Sequence, residues 1–197
     1  MIAGLLLAMA LAGTPSADGT VTKAVATREV ATCLIRIAES QSRKFLETKP
    51  GSDQARSVGV DLLFAHNRCV GPRRVFSGNL DAIRGAIAEV WFDRSPAALD
   101  AAAALTAVAP ERLPNALPDS AFRPAFATCV ATAAPAKAAA VLRTGYGSAE
   151  ERLAVLAMGD TLMACLPTDV TFHLRTDELR PYLAAALFYA SARGRSA

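Results

Sequence analysis

The sequence predicts an all-α protein of two tandem three-helix repeats, with a period of 96 residues and one disulfide closing each repeat. Three observations lead there. Apolar residues recur at helical spacing through most of the chain. Four cysteines form two pairs, Cys33 with Cys69 and Cys129 with Cys165, each pair 36 residues apart. Residues 31–95 laid over 127–191 without a gap give 16 identities in 65 positions, with both cysteines among them. The implied division is a signal segment over 1–17, a first repeat over 18–95, an Ala/Pro-rich connector over 96–126 and a second repeat over 127–197.

The run from Ile2 to Gly13 is wholly apolar. It is shorter than the roughly 20 residues that span a bilayer, and it fits the apolar region of a secretory signal. Ala10-Leu11-Ala12 offers a small-x-small cleavage site, and Ala17 offers a second. No Lys or Arg precedes the run. The expected location is therefore the periplasm or the exterior, where thiols pair. No later stretch has the length and apolarity of a membrane span.

The first helix is expected from about Glu29 to Glu47, and its partner from about Thr128 to Arg143. Leu34, Ala38, Ser42, Phe45 and Leu46 share one face, as do Val130, Ala134, Ala138, Val141 and Leu142. Pro135 falls inside the second of these and should kink it or delay its start. A turn follows in each copy, Lys49-Pro50-Gly51-Ser52 and Gly145-Tyr146-Gly147-Ser148. Glycine takes the left-handed conformation that ends a helix, and serine caps the next one. Ser148 and Glu151 have the spacing of a capping box, whereas copy one has Ala55 in the matching place.

The second helix is expected over about Asp53–Arg68 and Ala149–Ala164, and the third over about Leu80–Asp93 and Asp177–Ser191. Ile83, Ile87, Val90 and Trp91 form the third helix's stripe, against Leu179, Leu183, Ala186 and Leu187. The connector starts with a short helix, about Ala97–Val108, which Ser95 can cap. Pro110, Pro114, Pro118 and Pro124 then prevent a continuous helix.

Hairpin geometry pairs the cysteines. Cys33 lies 18 residues before Gly51 and Cys69 lies 18 after it, so both fall at the open end of the hairpin. Cys129 and Cys165 stand in the same relation to Gly147. Bridges Cys33–Cys69 and Cys129–Cys165 follow, each worth roughly 4 kcal/mol in the chain-entropy account.

Chemistry-bearing residues are few. His66 stands on the core face where copy two has Leu162, which reads as a packing histidine. His173 lies in a loop. Asp81 with Arg84, and Asp177 with Arg180, recur in both copies, three residues apart, at the start of the third helix. Recurrence favours a shared structural duty, and Arg84 and Arg180 are the candidate binding residues if any charged group binds a ligand. Arg68, Arg73 and Arg74 form a basic cluster private to copy one. No zinc or calcium signature, phosphate loop or nucleophile elbow occurs, so no metal, cofactor or catalytic residue is expected. A net charge of +3 and 6% aromatics argue against nucleic acid.

The pattern Cys33, Pro50-Gly51-Ser52, Cys69 and Leu80-Asp81-Ala82-Ile83-Arg84-Gly85-Ala86-Ile87-Ala88-Glu89 resembles a group of small exported alphaproteobacterial helical-repeat proteins of unknown function. Leu179-Arg180-Pro181-Tyr182-Leu183 takes the same place in copy two, with Pro181 where copy one has Gly85. The resemblance implies export and supplies no catalytic residue. The expected molecule packs two modules about a pseudo-two-fold axis. It is a non-enzymatic structural or interaction protein with a protein partner, or alternatively a small-ligand binder using the groove between the repeats.

Overall fold

A computed structural model describes residues 23–71, 80–168 and 176–194. The candidate signal, Arg73, Arg74, His173 and the side chain of Asp177 lie outside the described residues. Among the described residues there are ten α-helices and no strand. In chain order they are α1 (Lys23–Ile37), α2 (Glu39–Glu47), α3 (Asp53–Ala65), α4 (Leu80–Arg94), α5 (Pro96–Ala103), α6 (Asp119–Ala133), α7 (Pro135–Leu142), α8 (Ala149–Leu156), α9 (Gly159–Cys165) and α10 (Thr176–Gly194). A 3₁₀ turn, Asn67–Cys69, follows α3.

The first arm of each half is broken rather than continuous. Ala38 takes φ −145° and ψ 44°, and Ala134 takes φ −139° and ψ 62°. The bend between α6 and α7 is 111°. Pro135 explains it, because a residue before proline is pushed out of the α region and proline suits the first helical position. Glu39 gives no such reason at the matching corner, so packing sets that break. In the second half of the chain the second arm also breaks, at Ala157–Met158, ahead of Gly159, a poor helix former.

The connector departs from expectation at both ends. Ser95 does not cap α5 with its side chain, although Pro96 occupies the first turn. Pro124 lies inside α6 rather than in the extended stretch, which ends at Pro118. The connector is held down by Val108 N–H donating to Thr132 O (3.0 Å) and Leu113 N–H to Cys165 O (3.3 Å).

The turns follow the sequence reading. Gly51 (φ 73°) and Gly147 (φ 70°) are left-handed. The Ser52 hydroxyl accepts from Ala55 N–H and the Ser148 hydroxyl from Glu151 N–H, both at 3.1 Å. The disulfides are Cys33–Cys69 and Cys129–Cys165, with Cα–Cα distances of 5.6 and 5.9 Å.

The core is one continuous apolar cluster drawn from both halves, with Leu34, Phe45, Ile87, Met158, Leu183 and Leu187 among its largest members. Its spine is the pair α4 and α10, the most extensive helix contact among the described residues. Phe92 and Phe188 meet with ring centroids 6.2 Å apart. Seven residues earlier, a Cβ built on Gly85 would come within 2.4 Å of Pro181 Cβ and 2.3 Å of its carbonyl oxygen. Two contacts between positions seven apart on each helix mean that α4 and α10 run side by side in the same direction and in register. α1 flanks α4, and α6 flanks α10.

Gly85→Ala should therefore cost roughly 2–3 kcal/mol, because its methyl group meets backbone that cannot give way. Urea unfolding of the variant checks this. Gly147→Ala has open space around its Cβ and should lose less, through φ alone.

Candidate functional site

The ends of α2 and α7 leave carbonyl groups that no helical N–H can reach. In both halves an arginine from the third arm fills that need. Arg84 on α4 donates through Nη2 to Leu46 O (2.6 Å) and to Thr48 O, and through Nη1 to Thr48 Oγ1 (3.1 Å). Arg180 on α10 donates through Nη2 to Leu142 O (2.9 Å), and through Nη1 to Val141 O (3.0 Å) and Thr144 Oγ1 (3.3 Å). Each threonine hydroxyl also donates back to its own helix, to Phe45 O and Val141 O at 2.6 Å. The guanidinium thus binds the negative end of a helix, where cations are favoured. Arg84 is 1% exposed and Arg180 5%. The two candidate binding residues of the sequence reading are turned inward and occupy equivalent places, one in each half.

Their electrostatics differ. Arg180 binds two carboxylates, Glu89 Oε2 through Nε (2.9 Å) and Glu151 Oε1 through Nη1 (3.3 Å). Glu151 is fully buried, and its Oε2 accepts from Gly147 N–H at 2.5 Å. It therefore ties the turn, the cap of α8 and the third arm together. Glu89 comes from α4, so its bond crosses from one half to the other. Arg28, half-exposed, stands 3.8 Å from Glu89 at the rim.

Where the Arg180 cluster has Glu151 and, across the seam, Glu89, the matching positions around Arg84 are Ala55 and, across the seam, Ala185. Arg84 instead faces the Phe45 ring at 5.3 Å, and its Nε has no hydrogen-bond partner. Burial lowers the Arg84 pKa to about 10, against the opposing pull of Asp81 and Tyr189, and it stays charged at neutral pH. Burial also raises Asp81, with Arg84 and Arg56 pulling the other way. For Glu89, burial raises the carboxyl pKa more than Arg180 lowers it. Burial, with Asp93 adding to it, makes Glu89 hold its proton more tightly than usual.

His66 ends α3, half-buried, with its Nε2 2.5 Å from Gln41 Oε1. An amide can orient an imidazole but cannot relay its proton. Arg68 is exposed beside Cys69. An open cleft of about 520 Å³ lies at the α1–α2 corner, between Arg36, Arg43, Glu39 and Trp91. Its Arg43 is bound to Glu47 at 2.8 Å. Among the described residues, no His/Cys/Asp/Glu group could hold a metal ion and no single helix is long and apolar enough to cross a membrane.

The outer surface carries the remaining feature. Phe64 on α3 is 78% exposed, Leu153 and Leu156 on α8 are 66% and 72%, and Met163 on α9 is 65%. Leu153 and Leu156 stand three residues apart on α8 and so neighbour each other on its surface, and contiguous exposed apolar area is what marks contact sites.

Sequence reasoning missed Glu89 and saw Glu151 only as a cap. A signal for the cages was present: Thr48 and Arg84 are 36 residues apart, and so are their identical partners Thr144 and Arg180. No protein-family model, no curated protein and no solved structure matches this chain.

Arg180→Met leaves two carboxylates buried without their cation and should cost about 3–5 kcal/mol. Arg84→Met strands carbonyl oxygens only and should cost roughly 1–3 kcal/mol. Chemical denaturation of both variants tests the order.

Glu89 gives a pH signature. Its folded carboxyl binds a proton more tightly than the unfolded one, so its contribution to stability grows as pH falls from neutral toward the ordinary value of 4.5. Wild type should gain melting temperature relative to Glu89→Gln between pH 7.5 and pH 5, and the opposite slope contradicts the reading.

Proposed function

We propose that this chain is an exported, duplicated helical scaffold that binds a protein partner through the outer faces of its second arms. The single observation that carries the reading is the exposure of Phe64, Leu153, Leu156 and Met163 on the two second arms. Leucines and phenylalanines held in water are a standing cost that a partner surface removes.

The other supports are architectural. Disulfides within each half fit an oxidising compartment, and the apolar run Ile2–Gly13 fits export to one. Membership of the exported helical-repeat group belongs to the same reading. Duplication rests on the 16 identities and on helix boundaries: α1 and α6 end 96 residues apart, and α2 and α7, like α3 and α8, start 96 residues apart. The polar interior serves this architecture. Arg180 commits its three nitrogens to internal acceptors, so it offers little to a ligand between the halves.

The test places a photo-crosslinking residue at position 64 or 156 in the secreted protein, with exposed Thr106 as control. Adducts with one defined protein should form from 64 and 156 and not from 106. Leu153→Asp with Leu156→Asp should abolish the adducts from position 64 and leave the melting temperature within about 2 °C, as expected of surface changes worth under about 0.5 kcal/mol. Equal adducts from all three positions would remove the proposal.

A further inference from the structure

We infer that the seam between α4 and α10 is a two-fold subunit interface carried inside one chain, and that each half binds the other as a separate folded partner. This goes beyond the proposed surface function and rests on the duplication.

In an isologous dimer, residue i meets residue j and j meets i, so only residues on the axis meet their own copies. Here two positions do so. Gly85 packs on Pro181 and Phe92 on Phe188, and each pair is 96 residues apart, the period of the repeat. A seam built from self-contacts on parallel, in-register helices is the arrangement of a two-fold dimer. A lone pair of unlike helices has no reason to align its equivalents twice.

Each half also carries its own covalent and polar fixings. Its disulfide, its turn and its arginine-filled helix end all lie within it: Cys33–Cys69 with Arg84 on Leu46 and Thr48, and Cys129–Cys165 with Arg180 on Leu142 and Thr144. Across the boundary run the apolar core shared by both halves, the packing of α5 on α7, the Arg180–Glu89 bond and, from α5, the pair Asp100–Arg143 at 2.6 Å. Glu89 has no acidic counterpart in copy two, where Ala185 stands. Two second halves paired with each other would lack that carboxylate, so the bond disfavours their self-pairing.

The connector gives a clean place to cut. Thr106 and Ala107 are exposed, and a break between them leaves the bonds from Val108 to Thr132 and from Leu113 to Cys165 inside the second fragment. Neither disulfide spans the cut.

The experiment inserts a protease site between Thr106 and Ala107 of the full chain and cleaves the folded, oxidised protein. The fragments should co-elute as one species with unchanged helical circular dichroism and separate only in denaturant. Tagged and untagged cleaved proteins, mixed in denaturant and diluted out, should reassort, so that tagged second halves capture untagged first halves. Phe92→Ala in the cleaved protein should weaken capture about a hundredfold, from the loss of a buried aromatic. Phe64→Ala, on the outer surface, should leave it unchanged. Fragments that part in native buffer while each keeps its helicity overturn the interface and leave the duplication standing. Loss of helicity on cleavage overturns it too, since the halves then depend on the covalent link. Duplication fails on a different result, an experimental structure in which the two halves do not superpose.

Discussion

A guanidinium driven into the carbonyl end of a helix holds each half of this protein together. The end of α2 and the end of α7 point into the interior, where water cannot satisfy their last carbonyl groups. Arg84 and Arg180 reach them from the third arm, and Thr48 and Thr144 hold the guanidinium in place. The geometry fixes much else. The first arm must turn sharply at Ala38 and Ala134 so that its second segment delivers its end to the arginine. The third arm must present that arginine near its own start. The Gly-Ser turn must follow at once, so that the second arm folds back and its cysteine meets the one on the first.

The same cage is neutralised in two ways. Around Arg180 the charge is met by Glu89 and Glu151, one carboxylate more than the cation needs. Around Arg84 the helix end and the Phe45 ring supply partial negative charge, and one donor stays unmade. A buried ion pair seldom adds much net stability, because desolvation offsets attraction. Its value here is geometric. Glu151 bonds the turn at Gly147, and Glu89 reaches across the α4–α10 seam, so the second cage locks both its own hairpin and the other half. The first cage locks only its own.

An interior used this way leaves chemistry to the surface. The buried arginines, glutamates and threonines satisfy one another, and His66 faces an amide. The large apolar groups left in water are on α3, α8 and α9, the arms least involved in the seam. That division between a packed centre and apolar outer arms is the ground of the proposed partner binding. The disulfides keep those arms closed on their hairpins in an oxidising setting.

The sequence by itself determined the helical class, the cysteine pairing, the glycine turns, the serine caps and the apolar stripes. Each of these is written in local periodicity or in equal distances along the chain, which survive without knowledge of packing. It also pointed to Arg84 and Arg180, as recurring residues with a shared structural duty. Tertiary structure alone decided that both turn inward, that Glu89 pairs with an arginine 91 residues away, that Pro124 lies within a helix and that Ala38 breaks one. The reason is the same in each case. A helix end, a buried charge or a close approach such as Gly85 on Pro181 is settled by what comes to lie opposite it, and only packing brings those groups together.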